Sequence, residues 1–140
     1  MKFTHQKCFI FFSTLLLSLC LLSSASAHEV NKNAVALLIA KDKAGKTVGT
    51  GSGFIVQPEG TLVTNYHVLV DAHSVKAYFP NGIQADVKGI HKIDRTKDFA
   101  ILKLDNGFYS TLELGDSSSL KSYDYASALG YLSENVKENN

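Results

Sequence analysis

Apolar positions along this chain come in short bursts, each broken by turn residues. Ala34 to Ala40 is a near-continuous apolar run of Ala, Val, Leu and Ile. A charged turn with Gly45 follows, and Val48 to Gln57 reads as a strand carrying glycines at 49, 51 and 53. Pro58-Glu59-Gly60 is a turn, because proline presets φ and glycine tolerates positive φ. Thr61 to Asn65 reads as the next strand, and Tyr66 to Ala72 has room for one helical turn. Val75, Ala77 and Phe79 share one face of a strand over Ser74 to Phe79, and Ile83, Ala85 and Val87 alternate in the same way. Between them, Pro80-Asn81-Gly82 predicts a hairpin, with Asn-Gly suited to a type I′ turn. Lys92 to Lys97 reads as a polar loop and Asp98 to Leu104 as an apolar strand, ended by Asp105-Asn106-Gly107. Six strands at this spacing predict an all-β fold, an antiparallel barrel or sandwich. Thr111 to Tyr123 reads as a connector pinned by Leu112 and Leu114. Tyr125 to Leu132 predicts one more strand, and Ser133 to Asn140 is a polar tail with little to bury.

The first 27 residues stand apart from this pattern. Lys2 and Lys7 precede an apolar run from Cys8 to Leu22, and Ala25-Ser26-Ala27 supplies small residues at a cleavage site. The run is shorter than the roughly 20 residues a bilayer span requires. The segment therefore reads as a cleavable signal peptide ending before His28, with export to a periplasm or the outside medium. Bulky Leu19 beside Cys20 argues against a lipid anchor at that cysteine. Both cysteines, Cys8 and Cys20, lie in this segment. Residues 28–140 carry no thiol, which excludes thiol catalysis, thiolate metal sites and disulfides in that part of the chain. Of the 14 Lys and Arg, Lys2 and Lys7 also leave with the leader, so the remainder nearly balances the 13 Asp and Glu. Such a balance gives no electrostatic case for nucleic acid, and no membrane association is expected after cleavage.

The chemistry-bearing candidates are few. His67 stands at the exit of a short apolar strand, where an imidazole is a usable base near neutrality. A base of this kind needs a partner that fixes its tautomer, and a carboxylate serves best. Asp98, flanked by Lys97 and by Phe99-Ala100-Ile101-Leu102, is the candidate. On spacing alone, His67 as a turn residue and Asp98 as a strand cap remains the plainer reading. Asp71, His73 and His91 lack the spacing of a metal site with His67, so neither metal nor cofactor is expected. The glycines at 45, 49, 51 and 53 lack the Gly-Lys-Ser/Thr of a phosphate loop and suit a tight bend or bulge beside the histidine strand.

Four segments change the weighting. Gly49-Thr-Gly-Ser-Gly-Phe-Ile-Val56, Leu62-Val-Thr-Asn-Tyr-His-Val68, Lys97-Asp-Phe-Ala-Ile-Leu-Lys-Leu104 and Leu114-Gly-Asp-Ser-Ser-Ser-Leu120 occur in this order. Together they resemble the N-terminal half of the trypsin-like serine proteases, in particular the HtrA/Deg branch, over about residues 34–130. The resemblance implies a six-stranded antiparallel barrel, the first of two, over residues 28–110. Residues 111–140 would then hold the connector, the start of a second barrel that is essentially missing, and the tail. It also implies His67 as general base, Asp98 as its orienter, and unfolded or misfolded proteins as substrates. Tyr66 and Phe99 depart from the branch's commoner asparagine and leucine at positions that do not touch the chemistry.

The family's nucleophile lies in the second barrel, in a Gly-Asn-Ser-Gly-Gly segment whose backbone N–H groups also build the oxyanion hole. This sequence has no such segment, and no nucleophile is identified. Gly115-Asp116-Ser117-Ser118 imitates it but lacks the two following glycines, and Ser117 comes too soon after Asp98 to lie on a second barrel. The expectation is a secreted HtrA-like endopeptidase of which this chain carries only the His/Asp half, inactive by itself. The alternatives are a catalytically dead barrel acting as a binding module, or a truncated gene remnant. A lone first barrel would expose an apolar face, which predicts self-association into a homo-oligomer.

Overall fold

The computed structural model describes residues 31–131. The predicted signal peptide, both cysteines and the polar tail lie outside the described residues. Six strands form a closed antiparallel barrel: β1 (Val35–Lys41), β2 (Thr47–Gln57), β3 (Thr61–Thr64), β4 (Ser74–Tyr78), β5 (Gln84–Asp94) and β6 (Phe99–Leu104). Two three-stranded meanders, β1–β2–β3 and β4–β5–β6, are joined by β3 pairing with β6 and β1 pairing with β4. Closure leaves no strand edge unpaired around the ring. The helical content among the described residues is three short 3-10 turns, at Lys32–Ala34, Tyr66–Leu69 and Ser117–Ser119.

The inward positions alternate large with small. Leu38, Ile55, Leu62, Leu102 and Leu104 are fully buried, and Ala36, Ala40, Ala77, Ala85 and Ala100 fill the spaces between them. Mixing sizes in this way lets six strands converge without voids, as a small barrel requires. Thr64 is the buried polar side chain, and its hydroxyl donates to the Ser52 carbonyl at 2.7 Å. Tyr109 closes one end of the barrel. Its ring lies 5.5 Å from that of Phe79, and its hydroxyl reaches the Asp105 carbonyl and carboxylate, both at 3.1 Å. Burial, reinforced by the Asp105 carboxylate, pushes the Tyr109 phenol up to about 12.

The hydropathy pattern and the structure differ in four places. β5 continues to Asp94, well past Val87. Extra residues between Val87 and Gly89, and between Ile90 and Lys92, shift its register against β6 and break the alternation. Lys92 is therefore a strand residue. The hairpin at 80–82 is not type I′. Pro80 fixes a negative φ where that turn needs a positive one. The Gly82 N–H bonds the Phe79 carbonyl at 3.0 Å, and Gly82 alone in the loop takes positive φ, +85°. The connector is held by Tyr109 and Leu112, whose N–H groups donate to Pro58 and Ile55 carbonyls, while Leu114 is exposed. Residues 125–131 form no strand: Tyr125 is fully exposed and no neighbouring strand offers them a ladder.

The three glycines of β2 mark where the barrel wall is thinned. β3 ends opposite Gly53, so the first half of β2 projects beyond it. The 3-10 turn Tyr66–Leu69 folds over that projection. A Cβ on Gly49 would come within 2.5 Å of the Val68 carbonyl oxygen, and one on Gly51 within 2.5 Å of Val68 Cγ2. Val68 is buried in the space these side chains would occupy. The glycines thus admit a close approach of the turn, and the bulge the sequence suggested lies beside Gly49, where Val48 is the extra residue of β2 against β1. Gly51→Ala should lower stability by about 1–3 kcal/mol through overpacking. Gly89→Ala, with nothing within 4 Å of the new methyl, should stay within about 0.5 kcal/mol of the parent. Denaturant unfolding of both variants checks this, and equal losses would contradict the packing account.

Candidate active site

The register of the barrel brings the two predicted residues together. Thr64, the last residue of β3, pairs with Ala100 near the start of β6. Asn65 and the Asp98-Phe99 corner are therefore neighbours, although far apart in sequence. His67 follows in the 3-10 turn anchored by Val68, so the packing of Val68 sets where the imidazole stands.

The contact between them is close. His67 Nδ1 lies 2.7 Å from Asp98 Oδ2, and the His67 backbone N–H donates to Asp98 Oδ1 at 2.9 Å. Each carboxylate oxygen is thus engaged by the same histidine. A carboxylate only accepts, so the proton of the neutral imidazole sits on Nδ1, and Nε2 is left as the acceptor. The histidine side chain is 68% exposed and that of Asp98 42%. The hydrogen bond from the His67 ring, followed by the one from its backbone N–H, holds the Asp98 carboxyl below the usual carboxylate range. Asp98 is therefore charged throughout the range in which a base would operate.

Two further features were not read from the sequence. Asp98 adopts φ +51°, a left-handed conformation that few residues other than glycine take easily. The Asn65 side chain donates to the Asp98 carbonyl at 3.0 Å and to Oδ2 at 3.3 Å. The sequence signals were that Asn65 ends the predicted strand, where a short polar side chain commonly bonds nearby backbone, and that it stands two residues before His67 in the segment that carries the resemblance. On the outer side, the Arg95 guanidinium lies 5.3 Å from the Tyr66 ring centroid, and Lys92 lies 5.7 Å from that of Phe99. The two positions that depart from the HtrA pattern thus carry cation–π contacts at the rim.

The other candidates lie apart. Ser117 opens an exposed 3-10 turn capped by Asp116, which accepts from the Ser118 N–H and hydroxyl. No hydrogen bond joins a serine to His67 among the described residues. Asp71, His73 and His91 do not gather with His67: among the described residues no group of three or more His, Cys, Asp or Glu is placed to hold a metal. Ser52, in the Gly-Ser-Gly segment, accepts the Tyr131 N–H at 2.6 Å and so ties the returning chain to β2. Ser52, Thr64, Asn65, Phe99 and Leu129 line a groove of about 260 Å³ beside this tie.

A closed six-stranded barrel with a histidine and an aspartate joined at its rim defines a trypsin-like architecture. The trypsin-like peptidase domain matches residues 51–139, and the chain belongs to that family. Within the family its likeness is to the HtrA type. It is 37% identical over 84 residues to the zebrafish (Danio rerio) serine protease HTRA1B, covering 59% of this chain and 17% of that protein. It is 34% identical over 90 residues to a DegP-like periplasmic serine endoprotease of Rickettsia conorii, covering 64% of this chain and 18% of that one. Among solved structures, the HtrA-type protease AlgW with a tripeptide superposes with a TM-score of 0.58 at 28% identity, over 64% of this chain and 29% of that one. The chain thus spans under a fifth of the length of these two sequence relatives.

The lowered Asp98 value fixes a sign. A depressed folded-state pKa contributes stability that is present above the unfolded value, about 3.9, and is lost as pH falls through the folded value. Asp98→Asn should therefore unfold more easily than the parent above about pH 5. The gap should close once the parent carboxyl protonates below the ordinary range. Thermal unfolding of both proteins from acid to neutral pH checks this; a gap of constant size would contradict it.

Proposed function

We propose that this chain is the base-bearing barrel of an exported HtrA-like serine endopeptidase that hydrolyses peptide bonds of unfolded proteins. The observation that carries the reading is the 2.7 Å contact from His67 Nδ1 to Asp98 Oδ2, which leaves Nε2 as the acceptor at an exposed rim. In this reading His67 takes the proton of an attacking serine hydroxyl and returns it to the leaving amine. Asp98 holds the tautomer and stabilises the imidazolium as it forms. The serine and the oxyanion hole are not supplied by these 140 residues, which contain no Gly-Asn-Ser-Gly-Gly segment. Serine proteases deprived of one triad member retain about 10³–10⁴-fold catalysis over water, through the oxyanion hole and substrate binding. Without those features even this remnant of activity is lost, and the chain alone should be inert.

Export rests on residues 1–27 and on the periplasmic name of the Rickettsia relative. Expressed in a bacterium, the protein recovered outside the cytoplasm should begin at His28. A retained Met1 would count against cleavage.

The purified chain, incubated with unfolded casein at pH 7–8, should release no peptides. Casein cleavage that disappears in His67→Ala would overturn the inactivity of the chain while supporting the base assignment.

A further inference from the structure

Asp98 ends the β5–β6 turn with a left-handed backbone, which aspartate tolerates better than most residues and which sets the direction of its carboxylate. The residue lies in the tight turn between β5 and β6, where a glycine would be unstrained but would bring no carboxylate. Extended backbone at this position would send the side chain in another direction. Its orientation therefore depends on whatever holds φ at +51°.

Asn65 is the group that touches both halves of Asp98. Its Nδ2 lies 3.0 Å from the Asp98 carbonyl oxygen and 3.3 Å from Oδ2. Both partners are acceptors only, so the amide must present its nitrogen, and its two protons match two acceptors. The bond to the carbonyl restrains the backbone, and the bond to Oδ2 restrains the side chain. Oδ2 is also the atom that receives His67 Nδ1. Asn65 is itself fixed, because Thr64 before it is buried and bonded to Ser52 and His67 beyond it is bonded to Oδ1. One short stretch of chain, 64–67, thus supplies both the imidazole and the clamp on its partner.

We propose that Asn65 is a positioning residue: its carboxamide bridges the main-chain and side-chain acceptors of Asp98 and locks the left-handed conformation that aims the carboxylate at His67. The role assigned to the pair rests on the functional reading above, but the clamp is a statement about geometry and can be tested without proteolysis. Glutamine is too long to span both acceptors from the same backbone position, and alanine reaches neither. Aspartate keeps the size of asparagine but turns a donor into an acceptor facing two acceptors.

The test is nuclear magnetic resonance on the full chain carrying Asn65→Ala or Asn65→Asp. Nitrogen shifts of the His67 ring read the tautomer, and the amide–Hα coupling and carbon shifts of Asp98 read its backbone. The parent should show the Nδ1–H tautomer, a downfield Nδ1 proton and a left-handed Asp98. Both variants should stay folded, since Asn65 is exposed. In both, the downfield proton should be lost, the ring should drift toward Nε2–H, and Asp98 should leave the left-handed region. The loss should be greater in Asn65→Asp, where repulsion adds to the missing bond. A generic stability role would lower the unfolding temperature yet leave the tautomer untouched. Folded variants that keep the parent tautomer and the parent Asp98 backbone would overturn the proposal. Should Asn65→Ala fail to fold, the isosteric Asn65→Asp decides by the same readouts. Absence of proteolysis in any context bears on the functional reading and leaves this result standing.

Discussion

At Gly49 and Gly51 the inner wall of the barrel has no side chains, and Val68 occupies the space they would have filled. The approach is so close that a single methyl at either position meets Val68 at 2.5 Å. The whole rim depends on this contact. Val68 is seated, so the 3-10 turn of residues 66–69 is seated, and the His67 backbone N–H is delivered to Asp98. The core and the site are therefore one construction. The apolar packing that stabilises the barrel also fixes the imidazole, whose ring is otherwise exposed and would gain little order from its surroundings.

The second constraint is the pairing of β3 with β6. A register fixed by alternating burial cannot slip by one residue without turning Leu62 and Leu102 out of the core. That register sets Asn65 beside the Asp98 corner. The weak point of the arrangement is the left-handed Asp98, a conformation aspartate tolerates but glycine adopts at less cost. Exposed histidine–aspartate pairs are ordinarily worth little to stability. Their geometry here is instead determined by short backbone connections on both sides, as the orienting role proposed for the pair requires.

Much of this was legible in the chain. Alternation gave the six strands, and the order of four segments pointed to His67, Asp98 and the family. The illegible parts have physical causes. The bulges in β5 switch its period, so Ile90 and Ile93 no longer fall on the inward face and the strand looks like a loop. The hairpin formed as expected, but Pro80 outweighed the type I′ preference of Asn81-Gly82. The apolar residues near Leu129 resembled a strand, but a strand needs a neighbour to pair with, and residues 125–131 have only the tie from Tyr131 to Ser52. Tyr109 was hidden because one aromatic in a loop carries no period. Asn65 and the φ of Asp98 were hidden because they belong to a three-residue contact across the barrel, which no local pattern encodes.

In the function proposed, this barrel presents a base and its orienter to a nucleophile supplied by a second barrel. This role is tested most directly by grafting residues 31–131 onto the nucleophile-bearing barrel of an HtrA-type relative and measuring casein hydrolysis. The folded graft should cleave casein, and Asp98→Asn should lower its turnover on the order of 10⁴-fold, as loss of the correct tautomer does in serine proteases. A folded graft that fails to cleave, or one whose cleavage is indifferent to His67→Ala, would contradict it.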